Sequence, residues 1–94
     1  MLNFNYKMNI ALKSLLIKLF NKKYIGGRHT QEHKLIIIKT KWLTKYEKRN
    51  FEKEYKLMVN QEFILKIKKK THKGIDWHIS LNPKKLKELR GILK

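Results

Sequence analysis

The chain contains no cysteine, a single proline and only seven acidic residues in 94. Without cysteine there can be no disulfide and no thiolate metal site, and such a chain suits a reducing, cytoplasmic interior. Carboxylates are too few and too scattered to form a pair spaced for acid–base chemistry. No Gly-rich phosphate loop and no nucleophile motif is present either, so neither an enzyme, a cofactor site nor a small-molecule substrate is expected. No apolar run approaches the ~20 residues of a membrane span. Lys13 and Lys18 interrupt the N-terminal apolar stretch and no small-residue cleavage site follows, so a secretory signal and a membrane partner are not expected. No linker, repeat or low-complexity segment divides the chain, which reads as one domain over residues 8–94 behind a loose arm, residues 1–7.

What the chain has in excess is positive charge. Lys and Arg number 24, for a net charge of +17, while hydrophobic residues still make up 41%. That apolar fraction is enough for a core, and the charge calls for a polyanion to relieve self-repulsion. DNA, RNA and an anionic membrane surface all carry the required charge, and the membrane is disfavoured because the leucine stripe of the first helix reads as core. Only Arg28, Arg49 and Arg90 are arginines. Lys is a flexible point charge, suited to phosphate contact more than to bidentate reading of a base edge.

The organising stretch is Leu43 to Pro83. Thr44-Lys-Tyr-Glu47 has the form of a capping box. Phe51, Tyr55, Met58 and Val59 follow as one helical stripe, which predicts a helix over 45–60. The period then changes to two. Phe63, Leu65 and Ile67 alternate with Ile64, Lys66 and Lys68, and Trp77, Ile79 and Leu81 alternate with Asp76, His78 and Ser80. Two strands result, with Trp77 expected in the core, or stacking on a base as its functional alternative, and a basic loop, Lys68 to Gly74, between them.

Upstream, Met8, Leu12, Leu15, Leu16 and Leu19 mark a first helix that Asn21-Lys-Lys23 closes. Tyr24 to Thr30 is a turn whose paired glycines permit positive φ or close backbone approach. Thr30 is the expected cap of a second helix over about 31–39. Its Leu35-Ile-Ile-Ile38 run also suits a strand, and is assigned as helix because a short helix before the capping box completes a helix-turn-helix. Lys39 to Leu43 is the turn, with Trp42 or Leu43 filling the core. Asn82-Pro83 reads as a cap and first position of a C-terminal helix carrying Leu86, Leu89 and Leu93. The fold expected is α+β, mainly α with a small β-hairpin: a winged helix-turn-helix in the order α-α-α-β-β-α.

A nucleic-acid-binding surface follows from that fold. About 100° per residue separates successive side chains on a helix. With Phe51 inward, Lys45, Arg49 and Lys56 project outward, with Lys53 beside them and Lys48 on the flank. Lys66, Lys68, Lys69, Lys70, His72 and Lys73 crowd the hairpin tip. In this reading the helix enters the major groove and the hairpin grips phosphates. A solvated charged helix face and lysine protection of a strand edge are the plainer alternatives. DNA is the expected partner, with a transcriptional regulator as the foremost role. The alternative is an RNA-binding or ribosome-associated accessory protein using the same surface, and the protein is accordingly placed with the nucleoid or the ribosome. The first or the C-terminal helix would supply the seam of a homodimer. A protein-docking module is the third reading, against which stands the lack of an apolar stripe beyond the core set.

His29-Thr-Gln-Glu-His33 matches the H-x-x-E-H pattern of inverted zinc peptidases. Thr30 as a helix cap would leave His29 outside the helix, and no further acidic ligand is evident, so no metal is expected there. His78, on the polar side of the last strand, is expected to pair across the hairpin or meet a phosphate.

Ile25-Gly-Gly-Arg-His-Thr30, the Phe51 to Phe63 passage and His78-Ile-Ser-Leu-Asn-Pro83 together resemble a group of small stand-alone archaeal winged-helix proteins. The resemblance spans roughly Tyr24 to Leu93. It implies a winged-helix fold and an archaeal source, and little about activity, because members are generally described as uncharacterised. Many members carry Pro where this chain has Gln31.

Overall fold

The computed structural model describes residues 8–93. The expected loose arm, residues 1–7, lies outside them. The fold is α+β: four α-helices with a three-stranded antiparallel sheet. Helix α1 spans Ile10–Asn21, strand β1 Thr30–Gln31, α2 Glu32–Thr40 and α3 Lys45–Asn60. Strands β2, Ile64–Thr71, and β3, Gly74–Leu81, form the hairpin, and a 3-10 turn, Pro83–Lys85, leads into α4, Leu86–Leu93. The sheet order is β1-β3-β2, so β3 is central.

Helix α1 supplies the floor of the core. Leu12, Leu15, Leu16 and Leu19 lie on one stripe and are completely buried. Asn9 caps it, its side-chain oxygen accepting from the backbone N–H of Ala11 and Leu12 at 2.9 and 3.2 Å. The Asn9 N–H in turn donates to Glu54 Oε1 on α3 at 3.0 Å, tying the start of one helix to the side of the other. Helix α3 begins at the expected capping box. Glu47 N–H donates to Thr44 Oγ1 and Thr44 N–H donates to Glu47 Oε1. Hydrogen bonding from Thr44, first from its backbone N–H and then from its side chain, holds the Glu47 carboxyl below its ordinary pKa.

Both long helices end in the same way without glycine. Lys23 and Glu62 have φ of 58° and 63°. Around Lys23, Tyr24 N–H reaches Leu19 O and Lys23 N–H reaches Phe20 O; around Glu62, Phe63 N–H reaches Met58 O and Glu62 N–H reaches Val59 O. These are Schellman caps, which satisfy carbonyls that a helix end would otherwise leave unpaired. Each reverses the chain sharply, and the second delivers Phe63 and Ile64 into the core.

Several sequence expectations are corrected. The element order includes β1, which the order α-α-α-β-β-α lacks. Thr30 does not cap α2: it is paired with Ile79 in β1, and Gln31 precedes the helix without a side-chain capping bond. Leu35 to Ile38 is helical, as assigned. In the following turn Leu43 packs on the core, whereas Trp42 is 79% exposed with the Lys41 ammonium over its ring.

Strand β2 is turned over relative to the expected alternation, while β3 keeps Ile79 and Leu81 inward as expected. Ile64, opposite Leu81, is buried on the core face, and Leu65, opposite Ser80, looks the other way. A strand's side chains alternate, so this one-residue shift puts Lys66 and Lys68 on the core side. The cap at Glu62 is the physical reason: it buries the consecutive residues Phe63 and Ile64, so the alternation starts one residue later than the apolar pattern suggests. Trp77 shares the inner face with Ile79, but the ribbon has by then left the helices, and Trp77 is 43% exposed instead of buried.

No helix among the described residues is long and apolar enough to cross a membrane. The assigned face has a direct check. Ile64→Ala should cost about 2–5 kcal/mol, as expected for a sealed core position, and Leu65→Ala clearly less. Chemical denaturation would read both, and the reverse ranking would place the other face inward.

Candidate nucleic-acid interface

The cations named from the sequence fall on two elements. Helix α3 turns Phe51, Tyr55 and Met58 inward, and Lys45, Tyr46, Lys48, Arg49, Lys53 and Lys56 are all exposed along its other side. The capping box fixes the start of that helix, so Lys45, Lys48 and Arg49 project from an ordered first turn and the one after it. Of the helix's carboxylates, Glu47 is held in the cap and Glu54 by the Asn9 N–H. Glu52 remains beside the basic residues.

The hairpin lysines do not form a loop. Strand pairing continues to Thr71 opposite Gly74, leaving only His72 and Lys73 at the turn. Gly74 has φ of 125°, a conformation that favours glycine. Alternation therefore splits the cluster. Lys66, Lys68 and Lys70 lie on one face of the ribbon, and Lys69 lies on the other, opposite Asp76. The expected crowded tip is thus a two-sided basic ribbon.

Lys66 is the best anchored of these cations. Its Nζ lies 3.2 Å from Glu32 Oε2 and 4.8 Å from the centre of the Trp77 ring. The same carboxylate oxygen accepts the Tyr55 hydroxyl at 2.6 Å. Burial, reinforced by that carboxylate, pushes the Tyr55 phenol far above its ordinary pKa, so it remains a hydrogen-bond donor. One residue from each of α2, α3 and β2 meets here. A cleft lined by Tyr55, Lys56, Val59, Asn60 and Lys66 runs beside this cluster, bringing a lysine of α3 and a lysine of β2 to its two sides.

Charge compensation is sparse. Lys66–Glu32 and Lys85–Glu88 are the ion pairs among the described residues. Lys45, Lys48, Arg49, Lys53, Lys56, Lys68, Lys69, Lys70 and Lys73 form none.

The zinc-peptidase pattern separates in space. His33 is exposed on α2, Glu32 serves Lys66 and Tyr55, and His29 turns to β3. Its Nδ1 lies 2.8 Å from His78 Nδ1, so one ring donates and the other accepts. His78 therefore pairs across to the β1 side and not across the hairpin. Arg28 stands over the Tyr24 ring at 5.5 Å. Among the described residues no three His, Asp or Glu side chains converge.

Two features escaped the sequence reading. Asn9 is a preferred cap residue directly before the apolar stripe, and that local signal marks the start of α1. The second is apolar: Ile10, Ile38 and Trp42 are exposed, and with Ala11, Ser14 and Leu43 they line a groove of about 350 Å³ between α1 and the turn after α2. Exposed apolar surface beyond the core set is therefore present.

Compared with protein-family models, curated proteins and solved structures, the chain shows no match.

The histidine pair generates a pH prediction. Partial burial, the neighbouring His29 and then Lys69 hold the His78 pKa below its ordinary value, and Asp76 opposes them. A depressed folded-state pKa gives stability that is complete above the unfolded histidine pKa of about 6.5. That stability is lost as pH falls through the lower folded value. Thermal unfolding from neutral pH down to the carboxylate range should show a steeper acid-side loss for the native protein than for His78→Gln. Parallel curves would mean the pair does not oppose protonation.

Proposed function

We propose that the chain is a winged-helix nucleic-acid-binding protein, with α3 as its reading helix and the β2–β3 ribbon as its wing. DNA is the foremost ligand, and a transcriptional regulator the foremost role. The element order α1-β1-α2-α3-β2-β3, the short turn between α2 and α3, and the sheet order β1-β3-β2 support the winged-helix reading. The observation that carries the function is the run of unpaired cations on α3 and the outer ribbon, two elements that border one cleft at Lys56 and at the Glu32-paired Lys66. A polyanion would supply the compensation that the protein's own carboxylates do not. The role is one of binding, not catalysis, in association with the nucleoid. The likeness to archaeal winged-helix proteins belongs to the same reading.

In this arrangement Lys45, Lys48 and Arg49 approach base edges, since the N-terminal part of a reading helix lies deepest in the major groove. Arg49 alone among them has the planar fork that grips a guanine edge. Lys53 and Lys56 follow the backbone, and Lys66, Lys68, Lys69, Lys70, His72 and Lys73 take phosphates on either side of the wing. As a dimer through the outer face of α1, where Ile10 and Ile17 are exposed, it would read half-sites about one helical turn apart. As a monomer it would coat DNA with little selectivity.

The scarcity of arginine on α3 favours a second reading. An RNA-binding, ribosome-associated accessory protein needs shape and phosphate contact more than base-edge forks.

A competition between a random DNA duplex and a structured RNA separates the two. If six to ten phosphates are contacted, affinity for the preferred ligand should fall by roughly 10³ to 10⁵ between about 50 and 200 mM salt. Replacing Lys68, Lys69 and Lys70 together by Glu should abolish binding to both ligands. Normal binding by that variant would refute the wing's role.

A further inference from the structure

Beyond Ile79 the inner face of the ribbon leaves the core and becomes a surface of its own. Its ladder sets Lys66 opposite Ile79, Lys68 opposite Trp77 and Lys70 opposite Ile75. Successive side chains alternate between faces, so a column of Ile75 and Trp77 on β3 stands beside a column of lysines on β2. Ile79 is sealed, but Trp77 is 43% and Ile75 53% exposed. Lysines alone protect a strand edge, and an exposed indole adds nothing to that protection.

The indole is held in place from below. Lys66 is fixed between Trp77 and Glu32, and Glu32 is fixed by Tyr55. The other lysine near the ring is differently placed. Lys68 Nζ is 5.9 Å from the ring centre, at the outer limit of a cation–π contact, and has no ion-pair partner among the described residues. It can move to an arriving phosphate without breaking a salt bridge. An aromatic face flanked by unpaired cations is the arrangement that stacks on a base while gripping the backbone beside it.

We infer that this face is a stacking platform for an unpaired nucleobase of a single-stranded nucleic acid, with Trp77 taking the base and Lys68 and Lys70 its flanking phosphates. The inference rests on the nucleic-acid-binding role proposed above and deepens it. A base within a duplex offers no free ring face, so the platform acts on single strands, strand ends or bases displaced from a helix. Every base has a π-face, so recognition is tolerant of sequence.

The test uses the full chain with Trp42→Phe, which leaves Trp77 as the sole tryptophan fluorophore. Oligo(dT), oligo(rU) and a random DNA duplex are titrated at low salt. Stacking should quench Trp77 with the single strands and not with the duplex, and quenching by one of the two alone assigns the platform to DNA or to RNA. In the same background, Trp77→Ala should weaken single-strand binding by about 5- to 150-fold for one stacked base and leave duplex affinity nearly unchanged. Trp77→Phe, which keeps an aromatic face, should recover most of the loss, and circular dichroism confirms that each variant is folded. Absence of quenching, an unchanged single-strand affinity, or an equal loss on duplex overturns the platform. If Trp77→Ala is silent while the Lys68, Lys69 and Lys70 to Glu variant loses all binding, the platform falls and the nucleic-acid reading stands. If the unaltered chain binds none of the three ligands, the platform and the DNA-binding reading both fall.

Discussion

The inner end of β3 is the constraint on which the rest depends. Ile79, Ser80 and Leu81 are all without solvent exposure, although they point to alternate faces of the sheet. A strand sealed on both sides must find partners for every backbone group. Here β2 pairs along one edge, and β1 and the turn at 24–26 pair along the other. Leu81 N–H donates to Tyr24 O at 2.8 Å, and Gly26 N–H donates to Leu81 O at 2.9 Å. The buried Ser80 hydroxyl donates to Gly26 O at 2.8 Å. Gly26 itself has φ of 62°, and an added Cβ would stand 3.7 Å from Pro83. The space would tolerate that atom and the backbone conformation would not, so the glycine is required by its φ.

From that anchor the chain divides into a closed end and an open end. At the closed end, α1 and the inner strands share one apolar core. At the open end, the ribbon extends with the Tyr55–Glu32–Lys66–Trp77 cluster bracing one face and His29 meeting His78 on the other. That cluster uses one carboxylate to orient a lysine and a phenol at the point where core gives way to charged surface. With few other carboxylates nearby, the cations on α3 and on the outer ribbon are left for a ligand. High net charge disfavours the compact state through self-repulsion, and a bound polyanion would reverse the sign of that effect.

Much of the architecture was legible because it rests on local rules. Thr44 and Glu47 announced the start of α3, and the stripe from Phe51 to Met58 announced its buried side. Asn82 accepts from Lys84 N–H as its position before Pro83 suggested. What could not be read depends on partners distant in sequence. Thr30 looks like a helix cap, yet Ile79 claims it for the sheet. Leu65 and Ile67 continue the alternation of Phe63, yet a left-handed residue at Glu62 shifts the phase and sends Ile64 inward. Trp77 has the neighbours of a core residue but lies one step past the end of the core. The cations of the candidate interface can be named from the sequence, whereas their division between two ribbon faces and the anchoring of Lys66 by Glu32 require the register.

The most direct test of the central claim is a map of backbone amide shifts by nuclear magnetic resonance as a short DNA duplex is added. The account predicts perturbations concentrated in α3 from Lys45 through Lys56 and along the ribbon from Lys66 to Gly74. Perturbations centred instead on Ile10, Ile38 and Trp42, or none at low salt, would contradict it.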